Sequence, residues 1–198
     1  MGQSDLKTKF TIFVFIALAA FDHTIIGLFP PLFQYIAEDL QVGIGKLGII
    51  SGINILVTAV SSVYWGYLSG KFKRKRLIMI GTFIWVLSVF LTSISQSYLQ
   101  LLFFQMLTGV GLGCIASIGF SVLTDYIPYR KRGMILSLWG MAQGLGGIGG
   151  SLLASLTAAN TSWRWPFEIV GFIGLILMIL YFFVEEPSRG QSDPELKG

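Results

Sequence analysis

The sequence predicts an all-α membrane protein, a bundle of six transmembrane helices. Three observations predict it. Of the 198 residues, 54% are hydrophobic and 12% charged, with a mean hydropathy of +0.73, whereas soluble domains carry roughly 25% charged residues. The apolar residues fall into six runs, each near the length of about 20 residues that spans a bilayer. The basic residues collect in alternate connections between those runs. A water-soluble globule is excluded on composition. A barrel is excluded because alternating segments of about ten residues are absent.

The expected spans are 10–37, 46–70, 76–96, 98–124, 133–160 and 163–184. They make one transmembrane domain, 10–184, between an N-terminal tail at 1–9 and a C-terminal tail at 185–198. Glycine and proline inside the runs do not disqualify them, because neighbouring helices re-satisfy freed backbone groups in lipid. Pro30 and Pro31 in GLFPPLF (27–33) remove donors and predict a bend toward the outer end of span one. In span five, GMAQGLGGIGG (140–150) repeats glycine at a spacing of four twice, at Gly140 and Gly144 and at Gly146 and Gly150. That spacing predicts close helix approach. Gly109, Gly111 and Gly113 in span four predict the same. An internal repeat is visible at an offset of about 85 to 90 residues. KLGIISG (46–52) opens span two as RGMILSLWG (132–140) opens span five, and IGTFIWVLSVFL (80–91) can be laid on VGFIGLILMILY (170–181). A unit of three helices followed by three more is inverted, a transporter signature.

Loop charges predict orientation. Lys7, Lys9, Lys71, Lys73, Arg74, Lys75, Arg76, Arg130, Lys131, Arg132, Arg189 and Lys197 fall on one side, and Lys46 and Arg164 on the other. Twelve against two places both termini in the cytoplasm, as expected of a multi-pass protein of the plasma (inner) membrane. Tyr64, Trp65, Tyr67, Trp163 and Trp165 mark the interfaces, and Trp85 and Trp139 lie deeper as packing residues. The net charge of +4 comes from the loops and points to anionic lipid headgroups, not nucleic acid, as neighbours.

Asp22 and His23 are the ionisable residues deep inside a span. A charge there costs roughly 2.5–3.5 kcal/mol on insertion scales. For Asp22 the functional reading is proton or cation coupling, or a substrate contact, and the bland one is a neutral packing carboxyl. For His23, proton relay and packing stand even. The two project about 100° apart around the helix. Asn54, Gln105 and Gln143 are amides within spans two, four and five. Each either lines a polar cavity or glues helices, and gluing is favoured. One cysteine, Cys114, and one histidine leave no disulfide and no thiolate or HExxH metal site. No cofactor is expected. Nor is an enzyme, because no nucleophile–base–acid constellation or paired carboxylates appear.

The stretch after span two, GYLSGKFKRKRLI (66–78), resembles the G-x-L-x-D-x-x-G-R-[RK]-x-x-[LI] pattern of the major facilitator superfamily (MFS). Gly66, Leu68, Arg74, Lys75 and Ile78 match, and Lys71 is the expected basic position. Gly70 stands where the family has Asp, and Lys73 where it has Gly. LTGVGLG (107–113) is similar to the family's fourth helix, with Gln105 in place of Arg. DYIPYRKRG (125–133), containing Asp125 and Arg132, resembles the linker before the fifth. WRWPF (163–167) and EEPSRG (185–190) frame the sixth in a manner similar to the spinster branch, whose members move lysolipids and sphingoid lipids. That branch has an Arg and a Glu in helix four, where Gln105 and Leu112 stand here. The resemblance implies a 3+3 inverted-repeat bundle, the N-terminal half of a twelve-helix fold. It implies a gating loop of Gly66, Leu68, Gly70, Lys71, Arg74, Lys75, Asp125 and Arg132, weakened by the missing Asp at Gly70. It also implies alternating-access transport of a small organic or lipid-like solute.

One half supplies half a cavity, so the expected partner is a second copy or a separate six-helix half. Such a lone bundle is expected to leave Asp22, with Gln105 a further candidate, on a lipid-facing surface. The competing expectation is a non-transporting truncated or regulatory half that binds another membrane protein.

Overall fold

The computed structural model describes residues 3–126, 132–158 and 161–184. The expected linker at 127–131 and the segment 185–198 lie outside them. Helix α1 spans Gln3–Leu28, so residues 3–9, expected as a tail, continue the first helix. The chain then tightens into a 3₁₀ turn at Pro30–Leu32 and resumes as α2, Phe33–Leu40. The proline pair thus interrupts the α-helical ladder where the missing donors require it, and the first span runs to Leu40 instead of 37. Gln41 ends α2 in the left-handed region at φ 53°. Next come α3 (Ile44–Ser69) and α4 (Arg74–Ser93), then α5 (Tyr98–Cys114). One π-helical turn, Ile115–Gly119, joins α5 to α6 (Phe120–Tyr126). The last two are α7 (Arg132–Ala158) and α8 (Trp165–Phe182).

Local chemistry sets several ends. The Ser97 hydroxyl accepts from the Gln100 amide, and the Gln100 side chain accepts from the Gln96 amide at 2.9 Å, so orphan donors at the start of α5 are covered. Pro166 sits in the first turn of α8, where its missing N–H costs nothing. Among the described residues, five spans are long and apolar enough to cross a membrane. Helix α7 has the length, with 27 residues, but glycine and Gln143 dilute its apolar character.

The helices form an arc in the order α7, α1, α8, α4, α5, α3. Helix α1 packs on α7 as α5 packs on α3. Helix α1 also meets α8 as α5 meets α4, and α4 packs on α8. Exchanging the first three spans for the last three leaves this pattern unchanged, as an inverted repeat requires. Edge-to-face rings tie the elements together, Phe15 to Tyr181 with centroids 5.5 Å apart and Phe90 to Phe172 at 5.2 Å.

Glycine makes the closest approaches. A Cβ on Gly146 would lie 1.9 Å from the Ala20 carbonyl oxygen, and one on Gly150 would lie 2.0 Å from that of Thr24. Helices α1 and α7 therefore touch backbone to backbone. Ser151 Oγ donates to the Gly27 carbonyl at 2.9 Å across the same seam. In the other half of the repeat, Gly109 and Gly113 bring α5 onto α3, and Gly111 brings it onto α4. Of the two glycine pairs in α7, only Gly146 and Gly150 are used. Gly140 and Gly144 face open space.

Candidate functional site

The core is two apolar clusters stacked along the bundle. One contains Phe15, Leu18, Ala19, Ile115, Trp139 and Tyr181, and the other Ile25, Leu28, Leu47, Trp85, Leu101 and Phe167. Asp22 lies on α1 between Ala19 of the first cluster and Ile25 of the second. Its side chain is buried, with 5% exposure, and Oδ1 has no hydrogen-bond partner. An uncompensated oxygen at this depth is costly, and Thr82 Oγ1 and Trp85 Nε1 on α4 are likewise buried without a partner.

His23 is turned away from this interior. With Gln143, Ser151 and Ser155 it lines a groove of about 550 Å³ between α1 and α7, floored by Gly144 and Gly147. Side-chain-free glycine opens this groove, and its polar groups come from His23 on α1 and from Gln143, Ser151 and Ser155 on α7. The open face is therefore lined by His23 and Gln143. Asp22 and Gln105, expected there, are 5% and 3% exposed inside the single bundle. The 100° step between adjacent residues accounts for the exchange at 22 and 23.

Asn54 and Gln105 come together. Asn54 Nδ2 donates to the Gln105 backbone oxygen at 2.6 Å and to its Oε1 at 3.4 Å, and Gln105 Nε2 donates to Thr92 Oγ1 at 3.4 Å. The chain of amides joins α3, α5 and α4, the gluing role favoured for these residues. It borders a smaller cavity of about 90 Å³, shared with Ser51, Phe29 and Pro30 at the bend of the first span. Gln143 is separate from this network and belongs to the α1–α7 groove.

The turn between α3 and α4 is tied to α6 and α8. Gly66 lets α3 approach the π turn, where an added Cβ would lie 3.0 Å from Ser117 Oγ. Leu68 accepts from the amides of Lys71 and Phe72. Gly70 has ordinary right-handed geometry at φ −70°, and Lys71 lies over the Tyr67 ring at 4.4 Å. Arg74 forms an ion pair with Asp125 of α6. Lys75 Nζ donates to the carbonyls of Phe182 and Val184 at 2.6 and 2.7 Å, capping α8. Arg132 starts α7.

At the opposite end, Arg164 Nη1 donates to Asp39 Oδ2 at 2.7 Å and Nη2 to the Ser95 carbonyl at 2.8 Å. Trp163 Nε1 donates to the same Asp39 oxygen at 3.1 Å. This clamp joins α2, the end of α4 and the start of α8. Sequence reasoning missed Asp39. Its signal was an acid at the mouth of span one opposite Arg164 in the outer connections.

A family model described as Major Facilitator Superfamily matches residues 12–197. The chain belongs to that superfamily, and it is a multi-pass integral membrane protein of the transporter class. It is 28% identical over 182 residues to Multidrug resistance protein 3 of Bacillus subtilis (strain 168), covering 89% of this chain and 35% of the relative. It is 30% identical over 164 residues to Sphingosine-1-phosphate transporter SPNS2 of Danio rerio, covering 80% and 32%. The fold superposes on the crystal structure of a bacterial homolog to human lysosomal transporter, Spinster, in an inward-facing and occupied conformation. The TM-score there is 0.86 at 18% identity, covering 94% of this chain and 46% of that one. The chain spans about a third of the length of these curated relatives and under half of the solved chain.

Proposed function

We propose that this chain forms one six-helix half of a secondary active transporter that moves a small organic or lipid-like solute by alternating access. The observation that carries the proposal is the pairing, on adjacent residues of α1, of a buried carboxyl at Asp22 whose Oδ1 lacks a hydrogen-bond partner with a groove-lining imidazole at His23. Intramembrane ionisable residues are functional by default. In this reading Asp22 exchanges the coupling proton. His23 and Gln143 present polar groups to the solute, while Asn54 and Gln105 hold α3, α5 and α4 in register. The groove is wide and mostly apolar, which suits an amphipathic solute, in keeping with the multidrug and sphingosine-1-phosphate transporters among its relatives. The twelve-to-two division of basic residues supports cytoplasmic termini in a plasma (inner) membrane, with the Arg74–Asp125 turn as the inner gate. A second half, from another copy or another chain, closes the groove.

The test is reconstitution of the purified chain, alone and with any six-helix half that copurifies, in vesicles bearing a pH gradient. Gradient-dependent flux of an amphipathic solute supports transport. A second reading, a regulatory half that binds another membrane protein without transport, is favoured by the engagement of Gln105 in helix–helix hydrogen bonds. Specific copurification with no flux in any combination selects it.

A further inference from the structure

The α4–α8 edge carries a cavity that the transport reading does not use. It measures about 590 Å³ and is lined by Lys73, Lys75, Arg76, Met79, Ile80 and Phe182. Among the described residues the lining holds three cations and three apolar side chains and no carboxylate. The site is built by a fixed contact: Lys75 holds the end of α8 against α4 through the Phe182 and Val184 carbonyls. Lys73 and Arg76 are exposed, and among the described residues their side chains have no ion pair. Below them Ile80 and Phe182 are 50% and 62% exposed, continuous with Phe83, Ile176 and Ile179 on the outer surface of α4 and α8. Charge thus stands at the polar end of two spans, and an apolar track descends from it toward the hydrocarbon.

We infer that this cavity binds one anionic phospholipid, its phosphate held by Lys73 and Arg76 and the start of an acyl chain lying along Met79, Ile80 and Phe182. A basic pocket between membrane helices matches an anionic headgroup in charge. The apolar half of the lining distinguishes a lipid from a free phosphate, which would leave Met79, Ile80 and Phe182 without a partner. The inference does not depend on whether the chain transports anything.

The experiment is native mass spectrometry of the full chain in mild detergent with added phosphatidylglycerol or phosphatidylcholine. The expected result is a phosphatidylglycerol adduct that survives activation at which phosphatidylcholine is stripped. The Lys73→Gln/Arg76→Gln double variant should weaken phosphatidylglycerol retention by about thirtyfold, from two basic contacts at about 1 kcal/mol each. Lys46→Gln, which removes a charge on another face, should leave it unchanged. Circular dichroism and elution volume confirm that each variant is folded. Equal retention in the double variant overturns the proposal. Displacement of the lipid by millimolar inorganic phosphate also overturns it, in favour of a soluble anion. So does a rise in retention in Glu185→Gln/Glu186→Gln without a loss in the double variant, which would assign the basic rim to the chain's own acidic pair.

Discussion

Asp22 and His23 are adjacent in sequence and occupy different surroundings, the carboxyl between two apolar clusters and the half-buried imidazole at the edge of the α1–α7 groove, and each keeps one buried atom, Oδ1 and Nδ1, without a hydrogen-bond partner. A coupling ion at one and a solute at the other would meet across a single turn of α1. Asp22→Asn keeps the shape and removes the titratable group. The expected outcome is a folded protein with retained solute binding and loss of the pH dependence of flux, measured in vesicles with the complete functional unit. Unchanged pH dependence would leave Asp22 a packing residue. His23→Ala should instead weaken solute binding with the pH profile kept.

The α1–α7 seam tolerates nothing larger than hydrogen at Gly146, where a Cβ would fall 1.9 Å from backbone. Overpacking typically costs about 1–3 kcal/mol, occasionally more, and here the obstacle is main chain that cannot rotate away. Gly146→Val should therefore lower the thermal aggregation midpoint sharply. Gly140→Ala, six residues earlier and with nothing within 4 Å of an added Cβ in the single bundle, should be neutral or raise it for the chain alone, since Ala gains roughly 0.5–1 kcal/mol over Gly inside a helix. Equal effects at both positions would contradict the backbone contact of α7 with α1 at Gly146.

The outer clamp separates a charge pair from its support. Asp39 and Arg164 have side-chain exposures of 45% and 28%, and such exposed pairs couple by about 0.2–1 kcal/mol. A double-mutant cycle of Asp39→Ala and Arg164→Ala should return a value in that range. Arg164→Ala alone should cost more than Asp39→Ala, because it also strips the Ser95 carbonyl of its donor and uncovers the Trp163 ring at 4.2 Å. Denaturation monitored by helix content would show the order reversed if the carboxylate dominated.

The spans were legible because a backbone in lipid satisfies itself only within helices or closed barrels, so composition alone marks them. The bend was legible because Pro30 and Pro31 lack donors. Glycine spacing announced close packing, but spacing is silent about which face of a helix is covered. The pairs 140/144 and 146/150 look alike, and only the second meets α1. The π turn at Ile115–Gly119 has no residue signature in this stretch. The amides at 54 and 105 were visible as polar residues in apolar runs. Their pairing, 51 residues apart, is a property of the α3–α5 seam. Asp39 and Arg164 lie 125 residues apart, and only the folded arc brings them together. Placing Asp22 on the open face failed because a lone acid in a span announces burial from lipid without saying whether a groove or a core provides it.

Orientation is accessible to labelling. The native Cys114 is buried, so background reaction should be low. An impermeant thiol reagent applied to intact cells should modify Gln96→Cys and spare Lys73→Cys. The reverse pattern would turn the protein over and with it the assignment of the Arg74–Asp125 turn to the inner face.

Assembly follows from what the arc leaves uncovered. Helix α3 packs chiefly on α5 and α7 chiefly on α1, so each keeps a long face without a neighbour. On α3 that face carries Gly45, Gly48 and Gly52, and on α7 Gly140 and Gly144, all with nothing within reach of an added Cβ. Glycine lowers helix propensity and packs nothing when it faces lipid, whereas the same residues suit close approach of another helix. The groove holding His23, Gln143 and Ser155 opens beside this face, and polar groups in hydrocarbon carry a cost that a covering bundle would remove. Both features are met by a twelve-helix unit, from two copies about a twofold axis along the membrane normal or from one copy with another six-helix half. Gly52→Cys and Gly144→Cys should cross-link to a neighbouring chain in native membranes, while Phe172→Cys, on the outer surface of α8 at 60% exposure, should not. Cross-linking at residue 172 alone, or a monomer with full flux in nanodiscs, would eliminate the paired unit.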